Sequence, residues 1–195
     1  AGEALGSKRP VHPNDDVNLG QSSNDIVPTV LHVSVALALR NRLVPALERL
    51  ADALDERAHA FAGIVKIGRT HLMDATPLTL GQEFSGYAAQ ARKAAARARQ
   101  AITTLAELAV GGTAVGTGLN CDPRFAAGVC ARLNAETGLA FREAANHFEA
   151  QAARDDAAAV AGELGAIAAA LTKIANDIRL LGSGPRAGLG ELQLP

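Results

Sequence analysis

The chain has 195 residues, a formal net charge of −1 and 48% apolar residues, which bounds it to one domain or a little more, with length enough to bury a core. So neutral a balance argues against a basic nucleic-acid-binding face and removes the main electrostatic attraction to an anionic membrane. No uninterrupted apolar run reaches the thickness of a bilayer, and Glu3, Lys8 and Arg9 break up any signal-peptide pattern. The expectation is therefore a cytoplasmic protein, or one of the mitochondrial matrix if a transit peptide has been removed.

Ala1 to Ser7 reads as the end of a helix belonging to something longer. The next segment, Arg9-Pro10-Val11-His12-Pro13-Asn14-Asp15-Asp16-Val17-Asn18, is dense in polar side chains and prolines. It reads either as a turn-rich loop or as a small-anion site built on Arg9, His12 and Asn14. Gln21-Ser22-Ser23-Asn24-Asp25 then opens a long helix. Hydroxyl and amide side chains cap helices and Asp25 suits the positive end of the dipole. Two hydroxyls and an amide exceed what one cap needs, and the surplus donors would cradle a carboxylate or phosphate.

Three stretches carry a heptad-like apolar seam. They run from about Pro28 to Phe61 (Leu43, Leu47, Leu50, Leu54, Phe61), from about Pro77 to Leu108 (Phe84, Tyr87, Ala91, Ala98, Leu105, Leu108), and from about Phe148 to Leu181 (Val160, Leu164, Ile167, Leu171, Ile174, Ile178, Leu181). That period belongs to long helices packed at shallow angles. Helices of about 30 residues would be roughly 45 Å long, and alanines flank the second and third seams, so each helix needs several neighbours. Three such helices cannot satisfy that alone, which points to subunit–subunit packing or to further helices.

Between the first and second stretches stands Gly68-Arg69-Thr70-His71-Leu72-Met73-Asp74-Ala75-Thr76-Pro77. Thr76 suits an N-cap and Pro77 the first helical position, so a helix is predicted to begin there. Thr70 and His71 then fall in an irregular loop, where chemistry is usually placed. A lone His is more often structural; a hydroxyl neighbour in a compact polar loop makes acid/base work the competing reading. Asp74 either orients the imidazole or caps the next helix. Further on, Gly111 and Gly116 have the outer spacing of a phosphate-binding loop, but Thr117 stands where its lysine should be and no strand precedes it. A tight backbone connection is the better reading, with a ligand-facing backbone as the minor one. A shorter helix follows from about Pro123 to Thr137, capped by Gly138. Lys173 and Asp177, four apart, suit a surface pair, and Gly182-Ser183-Gly184-Pro185 stops the last helix. Cys121 and Cys130 fit neither a zinc knuckle nor a redox pair and read as reduced thiols. No metal-ligand spacing or hydrolase triad is visible.

Taken in order, His12 through Asn18, Gln21 through Asp25, Gly68 through Leu80, Gly111 through Asn120, Asn146-His147-Phe148-Glu149-Ala150 and Lys173-Ile174-Ala175-Asn176-Asp177 resemble the text of class II fumarase, of the fumarase/aspartase superfamily. The resemblance covers essentially the whole chain. It implies an all-α fold, a bundle of very long helices completed by oligomerisation into a homotetramer, with active sites at corners shared between subunits. Residues 1–20 would end an N-terminal domain and carry the anion-site loop; residues 21–195 would be part of the central bundle. The implied reaction is reversible trans addition of water to fumarate, giving L-malate, with no metal and no organic cofactor. Ser22, Ser23, Asn24 and Thr70 match substrate-carboxylate binders, and His71 matches the histidine of proton transfer. Arg9, His12, Asn14 and Asp15 match a second anion site.

The resemblance also implies parts outside this segment: a serine-bearing flexible loop beyond Pro195 with a nearby lysine and asparagine, a glutamate that pairs with His71, and a hydroxyl-rich loop ahead of Ala1. The segment alone is thus expected to lack hydratase activity. Leu19, Gly20, Met73, His147 and Arg154 depart from the commoner family text. Two other readings stay open. Aspartate ammonia-lyase is one, although that family typically has glutamine at the position of His71 and Ser-Thr-Asn at Ser22-Ser23-Asn24. A non-catalytic helical assembly fragment is the other.

Overall fold

The computed structural model describes residues 2–195. They form two compact units, one of residues up to Ala38 with Ala101–Val160, the other of Leu39–Gln100 with Ala161–Pro195. Helices dominate both, as the sequence led us to expect, and two small two-stranded sheets accompany them.

In the first unit a π-turn at Pro13–Val17 precedes helix α1, Ser23–Ala38. Its opening turn uses Ser22 as cap, whose carbonyl accepts from Ile26 N–H at 3.0 Å and whose hydroxyl accepts from Asn24 N–H at 3.2 Å. Helix α4 covers Phe125–Thr137 and ends as predicted at Gly138, in the left-handed conformation at φ 66°. The third predicted helix is broken. A short α5, His147–Ala152, is capped by Asn146, whose side-chain oxygen accepts from Phe148 and Glu149 N–H. Ala153 is extended, and α6 begins only at Asp155 and runs to Leu181. The heptad period carried no sign of this break; the adjacent acids Asp155 and Asp156 did, because carboxylates favour a helix N-terminus. Short strands β3 (Glu107–Leu108) and β4 (Arg142–Glu143) pair in parallel beside buried Leu105, Leu108, Val110 and Phe141.

In the second unit a π-turn at Leu39–Leu43 leads into α2, Val44–Ala60. Pro45 has no N–H to return to the preceding turn, and a π-turn is how a helix accommodates such a missing bond. Strands β1 (Val65–Thr70) and β2 (Met73–Thr79) form an antiparallel hairpin, and α3 spans Leu80–Thr104. The predicted helix start at Thr76-Pro77 is therefore wrong: both residues lie in β2. A capping box one turn later wins. Gln82 N–H donates to Thr79 Oγ1 at 3.0 Å while Gln82 Oε1 accepts from Thr79 N–H at 2.9 Å. Most of the seam residues then bury as expected, while Leu164 is exposed. Leu54 of α2, Phe84, Tyr87 and Ala91 of α3, and Ile174 and Leu181 of α6 share one core cluster, with Leu50, Phe61 and Ile178 packed on it. Phe61 meets Phe84 edge-on at 5.2 Å between ring centroids, and Phe84 meets Tyr87 at 5.4 Å.

The stretch Ser23–Ala60 and helix α6 are each long and apolar enough, by length and averaged composition, to cross a membrane. That corrects the expectation that no run would reach that length. Such composition also belongs to helices packed against several others in a large helical core.

Two expected outcomes follow from this packing. A Cβ on Gly81 would lie 2.4 Å from Ala58 O and 2.7 Å from Ala62 Cα, so Gly81→Ala forces α2 and α3 apart. It should cost about 1–3 kcal/mol of stability, read as a lower urea midpoint. Tyr87 is the only tyrosine of the sequence. Burial first, then the Glu83 carboxylate that accepts its hydroxyl proton at 3.0 Å, push its phenol far above the ordinary 10.0. The native state thus holds this proton more tightly than the unfolded chain. The resulting stability is full below pH 10.0 and drains as pH rises above it. Tyrosinate absorbance of Tyr87 should appear only together with loss of helical circular dichroism; its appearance near pH 10.0 in a still-helical protein would contradict the buried pair.

Candidate active site

Thr70 pairs with Met73, so His71 and Leu72 alone form the turn of the β1–β2 hairpin. Both have left-handed backbones, φ 53° and φ 62°. Two-residue hairpin turns need this conformation and usually take Asn-Gly to reach it. A His-Leu pair adopts it at a cost of about 1–3 kcal/mol per residue. Thr70 and His71 are exposed at this tip. Asp74 stands opposite Arg69 in the ladder and does not cap α3. A hydroxyl and an imidazole are thus presented on a short rigid turn, the form in which an acid/base group meets a substrate placed over it.

Behind the tip lies a hollow of about 610 Å³, with Thr70, His71 and Thr76 on one side and Lys66, Arg69 and Glu83 on another. Its charged wall was not foreseen. Lys66 Nζ, on a side chain only 9% exposed, lies 2.5 Å from Glu83 Oε2 and 2.6 Å from Glu191 Oε2. Arg69 donates to the other oxygen of Glu191. The Lys66–Glu191 contact has no good hydrogen-bond angle and acts as an ion pair. Burial opposes the charge of Glu191, but the hydrogen bond from Arg69 and the adjacent Lys66 ammonium outweigh it and hold the carboxyl below its ordinary value. Lys173 and Asp177 form the expected i,i+4 pair at 2.6 Å, and the Lys173 ammonium also sits 4.8 Å from the centre of the Tyr87 ring. The sequence signal for the cluster was weak: Lys66 and Arg69 lie in one short strand, and Glu191 in a tail with no periodicity.

The hydroxyl-rich start of α1 belongs to the other unit. Asp25, read as a dipole partner, is fully buried and ties this start to the glycine segment. Its Oδ1 accepts from Ser22 N–H at 2.9 Å, and its Oδ2 accepts from Gly111 and Thr113 N–H at 3.1 and 3.0 Å. The Asn24 side-chain amide donates to Ala114 O at 2.7 Å. Gly116, at φ 98°, lies so close to Phe148 that a Cβ would approach its ring carbon to 2.8 Å, in keeping with a tight connection. Ser23 and Asn24 line a hollow of about 580 Å³ with Gln151 and Arg154. In this arrangement the Ser22 hydroxyl serves the cap, while that of Ser23 is exposed.

His12 caps the first π-turn: its Nδ1 accepts from Asn14 and Asp15 N–H at 3.3 and 3.2 Å, and Asp16 Oδ2 accepts from His12 N–H at 2.6 Å. Accepting at Nδ1 requires a neutral imidazole with its proton on Nε2, so Asp15 Oδ2, 3.2 Å from Nδ1, is a neighbour rather than an ion-pair partner. Arg9, Asn14 and Asp15 are exposed. Within the chain, Ser22, Ser23 and Asn24 are thus gathered in one cluster, Thr70 and His71 in a second, and Arg9, His12, Asn14 and Asp15 lie in a third segment. Among the described residues no group of three or more His, Cys, Asp or Glu could hold a metal ion.

Comparison with known proteins extends these local readings to the whole chain. The sequence is 59% identical over 199 residues to the class II fumarate hydratase of Chromobacterium violaceum, covering 100% of this chain and 43% of that protein. It is 56% identical over 194 residues to the mitochondrial fumarate hydratase of Homo sapiens, covering 38% of it. The chain therefore spans about two fifths of the length of these relatives. Its fold matches the crystal structure of class II fumarase from Schistosoma mansoni with a TM-score of 0.89 and 41% identity, covering 92% of this chain and 40% of that one. It matches the fumarate lyase:delta crystallin of Brucella melitensis with a TM-score of 0.94 and 42% identity, covering 100% of this chain and 42% of that one. The pattern of the family described as Lyase fits residues 1–195 without remainder, and the chain belongs to that lyase family.

Proposed function

We propose that this chain is part of an enzyme that adds water reversibly, in trans, across the double bond of fumarate to give L-malate. The observation that carries the reading is the Thr70–His71 pair, exposed on a two-residue turn, in a chain 56–59% identical to fumarate hydratases over its whole length. In the malate-to-fumarate direction a general base of the complete enzyme takes the proton from the carbon beside one carboxylate. The electron pair moves onto that carboxylate and builds an aci-type dianion. Fixed donors must meet this charge, and we assign that work to Thr70 and to Ser22, Ser23 and Asn24. Hydroxide then leaves the neighbouring carbon and needs a proton, which an acid near neutrality supplies; His71 is that proton-transfer group. The chemistry calls on no metal and no organic cofactor.

We further propose that the enzyme is a cytoplasmic homotetramer in which neighbouring copies complete each dicarboxylate site. Val27, Val30 and Leu31 on α1 and Leu164 and Leu180 on α6 are exposed, which favours burial against other helices. No nucleic acid and no membrane is involved. Residues 1–20 then close an N-terminal domain and 21–195 contribute to the long-helix bundle. Arg9, His12, Asn14 and Asp15 are assigned to a second anion site.

The test uses the full-length protein and fumarate–malate conversion. His71→Asn should lower kcat by about 10²–10⁴-fold, with a much smaller change in KM. Ser23→Ala removes an exposed hydroxyl and should lower kcat/KM by about ten- to a hundredfold, the worth of one hydrogen bond to a charged group. Fumarate hydration by His71→Asn at the wild-type rate, or ammonia release from L-aspartate by the wild-type protein in place of hydration, would overturn the assignment.

A further inference from the structure

The cations at positions 66 and 69 should not be able to share a partner. Residues an odd number apart in a strand point to opposite faces. Yet Lys66 and Arg69 reach the two oxygens of one carboxylate, that of Glu191. The ladder explains how. Ile67 pairs with Pro77 and Arg69 with Asp74, so Gly68 of β1 alone faces Ala75 and Thr76 of β2, and the extra residue of the bulge lies on β2. A bulge of this kind sharpens the local twist of the pair, and across that twist both long side chains reach the one carboxylate. Gly68 is required there, since a Cβ would lie 2.6 Å from Thr76 O and 2.9 Å from the Leu78 side chain.

Glu191 is in turn held firmly. Its N–H and that of Leu192 donate to Leu181 O at 2.9 and 3.2 Å, and Leu192 packs on the core cluster. Lys66 is tied on its other side to Glu83, in the first turn of α3. One anchored carboxylate thus grips β1 on both sides of Gly68, the residue that faces the bulge. The residue next after the grip is Thr70, and then the tip itself.

We propose that Glu191 is a positioning residue: by bridging Lys66 and Arg69 it locks β1 on either side of Gly68, opposite the bulge of β2, and so sets the direction in which Thr70 and His71 are presented. The strained turn makes such a lock necessary. His71 and Leu72 both sit at positive φ without a glycine, so the turn sequence does not specify its own conformation. The grip runs along β1, from Lys66 to Arg69. Its loss should loosen the tip while leaving the Leu54–Phe84–Tyr87 core intact. The effect on turnover rests on the fumarate hydratase reading; the effect on the hairpin does not.

The experiment is native-state amide hydrogen exchange, with steady-state kinetics, on the full-length protein and its Glu191→Gln variant. A carboxamide keeps the shape, loses the charge and turns an N–H₂ toward one cation. The amides of Arg69, Thr70 and Met73 should exchange about tenfold faster or more, the worth of one charge-assisted hydrogen bond. Those of Leu54 and Tyr87 should keep their wild-type rates, and kcat should fall by more than KM rises. Arg69→Lys retains the charge but moves the donor off the Nη2 position that meets Glu191, and should give a smaller increase at the same amides; it decides the matter if Glu191→Gln does not fold. Wild-type exchange at the hairpin in the folded variants, or a uniform increase that includes the core, overturns the inference. A wild-type protein with no hydratase activity would defeat the functional reading alone, because the exchange pattern still reports on the grip.

Discussion

Each compact unit depends on a carboxylate used on both oxygens to join segments far apart in sequence. In the first unit it is Asp25, at zero exposure, holding the start of α1 against the glycine segment through backbone N–H groups of Ser22, Gly111 and Thr113. In the second it is Glu191, holding Lys66 and Arg69 of β1 against the chain that follows α6. A buried carboxylate lacking such partners would cost several kcal/mol. The arrangement is therefore close to all-or-none: the donors must all arrive for the acid to be buried, and once buried it fixes the donors. This is why the polar clusters stand on otherwise irregular backbone without the support of a long sheet.

The helical part was legible in the sequence because its causes are local or periodic. Leu47, Leu54, Phe84, Tyr87, Ile174 and Leu181 are buried where the heptad seam put them, and Gly138 ends α4 in the conformation that a glycine there announces. What failed was arbitration between equally local signals. Thr76-Pro77 and Thr79-Leu80-Gly81-Gln82 both look like helix starts. The second has the reciprocal hydrogen bonds of a capping box, and it leaves Pro77 in an edge position of a two-stranded ladder, where a missing N–H is tolerated. The break at Ala153 was missed because a seam of apolar residues continues in register across it.

The candidate site was legible in a different sense. The chemistry-bearing residues Thr70, His71, Ser23 and Asn24 could be picked out, since hydroxyl, imidazole and amide groups concentrated between apolar stretches are unusual. Their supports could not. Asp25 was read as a helix-dipole partner, and nothing near it in sequence indicates that it reaches Gly111 and Thr113, 86 and 88 positions away. Glu191 lies 122 positions from Arg69, in a tail whose composition suggests only a helix stop. Long-range ion pairs leave no periodic trace, and the extra residue of β2 facing Gly68 shifts the register, so the two strands cannot be read as one regular alternation.

The strain at the hairpin tip acquires a sense in this setting. A turn built from Asn-Gly would close easily, but it would put an amide and a bare backbone where the imidazole now stands. Placing His71 at positive φ puts its side chain at the apex of the turn, beside the Thr70 hydroxyl, at a local cost that the surrounding structure must cover. The second residue of the turn makes the same point from the other side. Leu72 is exposed and left-handed, so it gains nothing from burial in this chain and nothing from its own backbone preference. A residue unfavourable on both counts is tolerated only where the conformation is imposed from outside the turn, and the ion cluster along β1, which ends at Arg69 beside Thr70, is the part of the structure placed to impose it.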